Sequence, residues 1–455
     1  MQESRELWNN KIGFIMAAAG SAIGLGNIWR FPYMTGQNGG AAFVLTYVIF
    51  VVLIGFAAML AELSLGRRTN KNALGAFTAV VPGTKWRYVG GLGIFTGIAI
   101  LSFYSVIAGW TVGYMFKTIG GVFSHIPNAQ YLADVFTGFS ANPVSAILLH
   151  GLFIFLTVFV VMGGVSKGIE RWSRILMPLL FAILLLLVIR ALTLGAGVKE
   201  GLAFYLKPDF SQINAGTILM ALGQALFSLS LGMGTMITYG SYISKSDNLV
   251  SSAASVAFFD TLIALMAGLA IFPALFANGL NPAGGAGLVF MVFPMIFEKI
   301  PGGMIFGAGF FILLSIAALT STISLLEVPV SYLIDERKWS RKIAAIAAGV
   351  LAFILGIPSA ISQGASDFFS NLPLIHISFL DFMNIAFGNY ALTIGSFFIA
   401  LFVGWKWGIK NAVKEVEDGN PVFGYRKMWS FTLRFLAPIC ILITMIYLAW
   451  TGNFF

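Results

Sequence analysis

The chain has 455 residues, of which 58% are hydrophobic and only 10% charged, with a mean hydropathy of +0.89. Soluble globular domains carry about 25% charged residues, so a water-soluble multidomain architecture is excluded, and the net charge of +9 reflects membrane topology rather than nucleic-acid binding. One cysteine, Cys440, excludes an intramolecular disulfide framework.

The first segment, MQESRELWNNK, is charged and runs into a long apolar stretch without a small-residue cleavage site, which predicts a retained span rather than a cleaved signal. Apolar runs long enough to cross a bilayer then recur along the whole chain. They predict spans at 12–36, 41–66, 88–117, 144–163 and 173–195, a second group at 215–243, 249–276, 303–334, 341–359 and 375–404, and an eleventh helix at 430–451. The expected domain is thus one membrane unit over 1–455, with five-helix groups at 12–195 and 215–404. The longer connections, around "GGVFSHIPNAQYLADVFTGFSANP" and "LKPDFSQIN", read as loops. "LNPAGGAGLVFMVFPMIFEKIPGG" is too apolar for a solvated loop and predicts a helical hairpin on the outer face.

An odd number of spans places the termini on opposite sides. With a cytoplasmic N-terminus the inner connections carry Arg67, Arg68, Lys71, Lys85, Arg87, Lys167, Arg171, Arg174, Arg337, Lys338, Arg341 and Lys342, among others. The outer connections carry Lys199, Lys207 and Lys299. This asymmetry predicts a multi-pass protein of the cell membrane, N-terminus cytoplasmic and C-terminus extracellular.

Two spans contain sequence that is poor for a continuous helix. "GSAIGLGNIW" places Gly20, Gly24, Gly26 and Asn27 inside span one, where each glycine costs about 1 kcal/mol against alanine. "ALFSLSLGMGTMITYGSY" places Ser228, Ser230, Gly232 and Gly234 inside span six. Small residues also serve close helix packing, and either cluster alone would fit that role. Two clusters at corresponding positions of two five-span groups point instead to discontinuous helices of a transporter. Unwound backbone offers carbonyls to a cation, and the N-terminus of the half-helix beyond the break offers N–H groups and positive dipole to a carboxylate.

These motifs carry a family resemblance. "GSAIGLGNIWRFPY", followed in order by "NGGAAF", "GGVSKGIERWSRILMP", "SLSLGMGTMITYGSY" and "LIDERKWSRK", resembles the neurotransmitter:sodium symporters along essentially the full length, most closely their bacterial amino-acid branch with eleven helices. The resemblance implies an all-α membrane fold of the leucine-transporter type, a 5+5 inverted repeat with helices one and six unwound at mid-membrane. It implies sodium-driven import of an amino acid by alternating access, with no catalytic residues and no organic cofactor.

Two sodium sites are implied residue by residue. The first would use Ala22, Asn27, Ser228 and Asp260, with the substrate carboxylate as a further ligand. The second would use Gly20, Ile23, Ala317, Thr320 and Ser321. Hard oxygen ligands suit a small alkali cation, by extension from the rules for hard divalent ions. The substrate carboxylate is expected at the Leu25 and Gly26 N–H groups and the Tyr104 hydroxyl, with the amine near Ala22, Phe227 and Ser230. Gly24 stands where aminergic relatives carry an Asp, and its lack of a side chain leaves room for an amino acid's own carboxylate. Ile100, Phe227, Met233, Ser321, Ser324 and Leu325 would line the side-chain cavity, and a flexible Met there suits a large hydrophobic or aromatic side chain.

Asp260, in "VAFFDTLIALMAG", is a carboxylate in mid-span and so a functional candidate. Many animal relatives have Asn there and need chloride. Asp260 would supply that charge itself, taking a proton once sodium leaves, and Ala264 lacks the polar side chain used near chloride, although Tyr47 of the anion-site pattern is present. Chloride independence is therefore expected, with a chloride-dependent or broader neutral amino-acid symporter as the alternative. Arg30 with Asp381 would form the outer gate, and Arg5 with Asp335, beside Trp8 and Tyr242, the inner one. Gly168 and Pro178 bracket an inner stretch of span five that could unwind, since proline removes a helix hydrogen bond. Glu62 and Glu327 read as structural carboxylates.

Two other classes were weighed against these features. A cation channel would gather its ligands around one open pore, whereas here they scatter over spans one, six, seven and eight. A membrane enzyme lacks support: His125, His150 and His376 have no metal spacing, and no phosphate loop or nucleophile motif is present.

Overall fold

The computed structural model describes residues 6–280, 289–290, 293–419 and 423–451. Among them, nine helices are long and apolar enough to cross a membrane: Ala41–Thr69, Arg87–Ile119, Pro143–Met162, Val165–Leu192, Leu249–Ala277, Gly303–Arg337, Arg341–Ile361, Phe379–Lys406 and Arg426–Trp450. A tenth span is the pair Lys11–Ala22 and Gly26–Gln37, bent by 50°. The eleventh is the interrupted pair Ala215–Ser228 and Thr235–Gly240. In chain order these are spans one to eleven, with the two interruptions in spans one and six as the sequence predicts. Their lipid-facing surface is built from side chains such as Phe155, Phe159, Leu186, Ile354 and Ile446, all exposed.

Helix starts follow local capping chemistry. Asn10, Asn142, Asn214 and Asn248 each accept, through the side chain, the backbone N–H three residues on, which satisfies a donor the helix cannot. Two regions read as loops contain helices, Ala129–Ser140 and Val198–Leu206. A further short helix, Ile409–Glu417, buries Ile409, Ala412, Val413 and Val416 on one face, the spacing of an amphipathic helix. Span five begins earlier than predicted because "VSKGIE" continues it as a wide π-type turn over Val165–Glu170.

Spans three and eight form the wall against which the broken helices lie. They run antiparallel: a Cβ on Gly307 would meet Thr118, Thr111 Oγ1 lies 2.8 Å from Ser315 Oγ, and a Cβ on Gly97 would meet Leu325 and Val328. Of the predicted outer hairpin, the short helix Phe293–Lys299 is present, with the Phe293 ring stacked on Phe310 at 4.4 Å between centroids. Its other arm, 281–288 with 291–292, lies outside the described residues.

Candidate functional site

The two breaks are made differently. In span one the helix ends at Ile23, whose backbone is extended (φ −73°, ψ 98°), and none of Gly20, Gly24 or Gly26 is left-handed. These glycines are needed for space rather than for backbone freedom. A Cβ on Gly24 would lie 2.4 Å from Ser321 Oγ and 2.8 Å from the Tyr104 hydroxyl, and one on Gly26 would lie 3.1 Å from the Phe227 ring. In span six, Ser230, Gly232 and Gly234 all have positive φ (55°, 81° and 77°), a region that L side chains enter at a cost. The freed Gly232 N–H donates to Glu62 Oε1 at 2.7 Å, so this buried carboxyl group holds the break from span two.

Beside the breaks lies a polar cluster, fully buried, around Asp260 of span seven. The Ser228 hydroxyl is 2.8 Å and 3.0 Å from the two carboxylate oxygens, Asn27 Nδ2 donates to Oδ1 at 2.7 Å, and the Tyr47 hydroxyl donates to Oδ2 at 3.1 Å. Asn27 Nδ2 also approaches Ser228 Oγ at 3.1 Å, and Asn27 Oδ1 accepts from the Gly24 N–H at 3.2 Å. Residues from spans one, two, six and seven thus bring oxygen and amide groups together around one carboxylate. A donor set of this kind, with its negative charge, fits a small cation. Ala22 and Ser228 both stand in the wall of the adjoining cavity.

The cavity itself is lined by every predicted substrate residue except Leu25. Leu25 joins it through its N–H, which donates to the Tyr104 hydroxyl at 2.9 Å. The predicted residues of the second sodium site also converge. Thr320 packs against Gly20, where an added Cβ would stand 3.3 Å from Thr320 Cβ and 3.4 Å from Met177 Sδ. The Thr320 hydroxyl donates to Ala317 O at 3.0 Å and the Ser321 hydroxyl to Ser21 O at 3.2 Å. Ile23 directly follows in span one, its N–H bonded to Ala19 O at 2.7 Å.

On the inner side Trp8 is buried between Tyr239 and Tyr242: its indole donates to Tyr239 O at 3.1 Å and its backbone N–H to Tyr242 O at 3.1 Å. The Tyr242 hydroxyl donates to Glu327 Oε1 at 2.6 Å, and Glu327 forms a two-pronged ion pair with Arg341 at 2.8 Å and 3.0 Å. Asp335 accepts from the backbone and side chain of Asn72 at 2.8 Å and 3.1 Å. Arg5 lies outside the described residues.

On the outer side the expected Arg30–Asp381 ion pair is not formed among the described residues. Asp381 instead pairs with Ser378, the N-cap of its own short helix: the Ser378 hydroxyl donates to its carboxylate at 2.6 Å and accepts from its N–H at 3.1 Å. Arg30 lies over the Phe227 ring, 4.2 Å from its centroid, and donates to Asn389 Oδ1 at 3.2 Å. The stretch from Gly168 to Pro178 is helical in this structure, with Pro178 inside Arg171–Leu192.

Four residues escaped sequence reasoning. Ser21 lines the cavity; Gln224 donates to Gly26 O at 2.9 Å; Asn389 partners Arg30; Arg341 neutralises Glu327. Ser21 was readable, since it lies one turn before Gly24 on the same broken helix. Asn389 and Gln224 carry no charge that would mark them in an apolar span.

Comparison with known proteins agrees with this geometry. The model of the sodium:neurotransmitter symporter family matches residues 5–131 and 139–452. An uncharacterised sodium-dependent transporter of Bacillus subtilis is 41% identical over 97% of this chain and 97% of its own length. The sodium-dependent serotonin transporter of Drosophila melanogaster is 26% identical over 98% of this chain and 76% of its own length. Among solved structures, the crystal structure of MhsT in complex with L-phenylalanine superposes with a TM-score of 0.89 at 48% identity, covering 97% of this chain and 99% of that one.

Proposed function

The chain belongs to the sodium:neurotransmitter symporter family, and we propose that it imports a hydrophobic or aromatic L-amino acid, driven by sodium and without need of chloride. It is a multi-pass membrane transporter that uses sodium. The observation that carries the finer reading is the lining of the cavity between the two breaks. It has Ile100, Met233, Phe227 and Leu325 as its apolar wall and the Asp260 cluster at its edge. The ligand of the solved relative, L-phenylalanine, has the apolar side chain that such a lining favours.

In the proposed cycle the substrate carboxylate takes the Leu25 and Gly26 N–H groups and the Tyr104 hydroxyl, and completes the first sodium site with Ala22, Asn27, Ser228 and Asp260. The second sodium sits among Gly20, Ile23, Ala317, Thr320 and Ser321. Asp260 supports the absence of a chloride requirement, because a carboxylate among these ligands already balances a cation. Met177, packed on Gly20 beside Thr320, lies one residue before Pro178, so unwinding from Gly168 to Pro178 would open the second site to the cytoplasm. Spans one to five and six to ten act as two repeats, with the N-terminus cytoplasmic.

Uptake of labelled phenylalanine into proteoliposomes tests the reading. Uptake should require sodium and be indifferent to replacement of chloride by gluconate. Tyramine and tryptamine, which lack the carboxylate, should fail to compete where tyrosine and tryptophan do. Competition by the amines equal to that of the amino acids would refute the assignment of the pocket.

A further inference from the structure

Span eleven carries a cation that its neighbours leave without a counter-charge. Arg434 stands eight residues after Arg426, about 12 Å along the helix. Among the described residues no carboxylate pairs with it, and its Nε is buried without a hydrogen-bond partner. An arginine inside a span is costly and as a rule faces a partner. Long helical side chains lean toward the helix N-terminus, so the guanidinium is directed to the membrane face at which span ten ends in Lys406, the cytoplasmic one in the proposed orientation.

Its seat is built by span ten. The two spans approach closely at Gly404, where an added Cβ would stand 3.0 Å from Leu433 O and 3.4 Å from Arg434 Cα. Pro438 has no N–H to give to Arg434 O, the carbonyl four residues before it. The Trp405 indole N–H donates there instead, at 3.1 Å, which uses the indole's one donor. With the Phe435 ring edge-on at 5.6 Å, this bond fixes the indole, and the Arg434 guanidinium lies over it, 4.7 Å from the ring centroid. Trp405, Phe431 and Phe435 are 52%, 58% and 42% exposed, so the platform faces lipid rather than the protein interior. Beyond it Ile439, Leu442 and Ile446 continue an exposed apolar stripe along span eleven, at helical spacing.

We propose that Arg434, seated on Trp405, binds the phosphate of an anionic phospholipid whose acyl chains lie along that stripe. A guanidinium presents paired N–H groups that match a phosphate, and the apolar stripe beside it matches the chains attached to that phosphate. The rim decides the headgroup. Lys406 and Lys410 are exposed and have no acidic partner among the described residues, so they repel the cationic end of a zwitterionic lipid and favour one with net negative charge.

Native mass spectrometry of the purified chain, with dioleoylphosphatidylglycerol and dioleoylphosphatidylcholine added in equal amounts, tests this. The wild type should retain one molecule of the anionic lipid with about tenfold preference, the low end for hydrogen bonds to a charged group. Arg434→Gln should bring that preference to about one, and Arg434→Lys, a charge without the fork, should keep part of it. Lys427→Gln, which removes an exposed charge from the same helix, should keep all of it. Equal retention of the two lipids by the wild type overturns the proposal and needs no variant to fold. An unchanged preference in Arg434→Gln overturns it as well. So would lipid-free dimers that vanish in Arg434→Gln, which would assign the guanidinium to a second copy. Glycerol 3-phosphate should not be retained, and its retention would mark an anion site that takes no lipid.

Discussion

Gly24→Ala is the sharpest probe of how the span-one break serves the cavity. The added methyl carbon would stand 2.4 Å from Ser321 Oγ and 2.8 Å from the Tyr104 hydroxyl. The serine oxygen can rotate away, but the tyrosine oxygen is the end of a rigid ring, buried, that holds the Leu25 N–H at 2.9 Å. Overpacking of this kind costs about 1–3 kcal/mol, which is roughly a 5- to 150-fold rise in Kd. No backbone penalty adds to this, because Gly24 has no left-handed φ to lose, and the displaced Ser321 and Tyr104 both line the cavity, so binding should weaken with stability. Gly26→Ala meets only the edge of the Phe227 ring at 3.1 Å and should lose less. Gly91→Ala on span three, whose Cβ would meet nothing closer than 3.9 Å, is the control and should be neutral or slightly stabilising. Binding of labelled phenylalanine to purified protein, with thermal unfolding measured in parallel, reads the three variants. Wild-type affinity in Gly24→Ala would refute the claim that this glycine is there for space.

Asp260→Asn should strongly reduce sodium-driven uptake, and combination with Ala264→Ser should restore it in chloride but not in gluconate; chloride dependence of the unmutated protein would move charge balance to an anion near Tyr47. Replacing Thr320 and Ser321 together by Ala should shift the sodium dependence of uptake to much higher concentration, and an unchanged dependence in folded protein would sink the second site. Glu415→Gln should lower thermal stability by about 3 kcal/mol, because it strips the carboxylate from Arg67, a guanidinium fully buried between Glu415 at 2.9 Å and the Asp247 and Asp418 carbonyls at 2.8 Å each. No loss in the unfolding midpoint would show that those carbonyls alone suffice.

The sequence showed which spans break but not how. A glycine has two uses, backbone freedom and absence of bulk, and only the structure shows that Gly24 and Gly26 serve the second alone while Gly232 and Gly234 serve both. The Asp260 cluster was legible because a carboxylate in an apolar span must find partners, and the family motifs named Asn27 and Ser228. The partner that Arg30 has in this structure was not legible. Opposite charges suggested that Arg30 meets Asp381, while the neutral Asn389, which receives the guanidinium at 3.2 Å, gave no signal. The helices Ala129–Ser140 and Ile409–Glu417 are short and amphipathic, so hydropathy tuned to spans passed over them. The Asn128 cap that accepts from the Tyr131 N–H at 2.9 Å was the available cue.

The inner closure separates into a part that can open at modest cost and a part that cannot. Glu327 is fully buried and carries two kinds of partner, the bidentate Arg341 at 2.8 Å and 3.0 Å and the Tyr242 hydroxyl at 2.6 Å. Parting Arg341 from Glu327 would strand a buried charge at a cost of about 3–5 kcal/mol. Parting Tyr242 leaves the ion pair intact and forfeits one hydrogen bond to a charged group, about 1.5–3 kcal/mol. The pair on spans eight and nine should therefore stay closed through the cycle, while Tyr242 and Trp8, both attached to the broken helices, move away from it. Tyr242→Phe should then shift the protein toward its inward-open form by roughly 10- to 150-fold, read as faster amide hydrogen exchange over residues 11–22 with the unfolding midpoint little changed. Glu327→Gln should instead lower that midpoint. If Tyr242→Phe left exchange in span one as in the wild type, the hydroxyl would not be part of the latch.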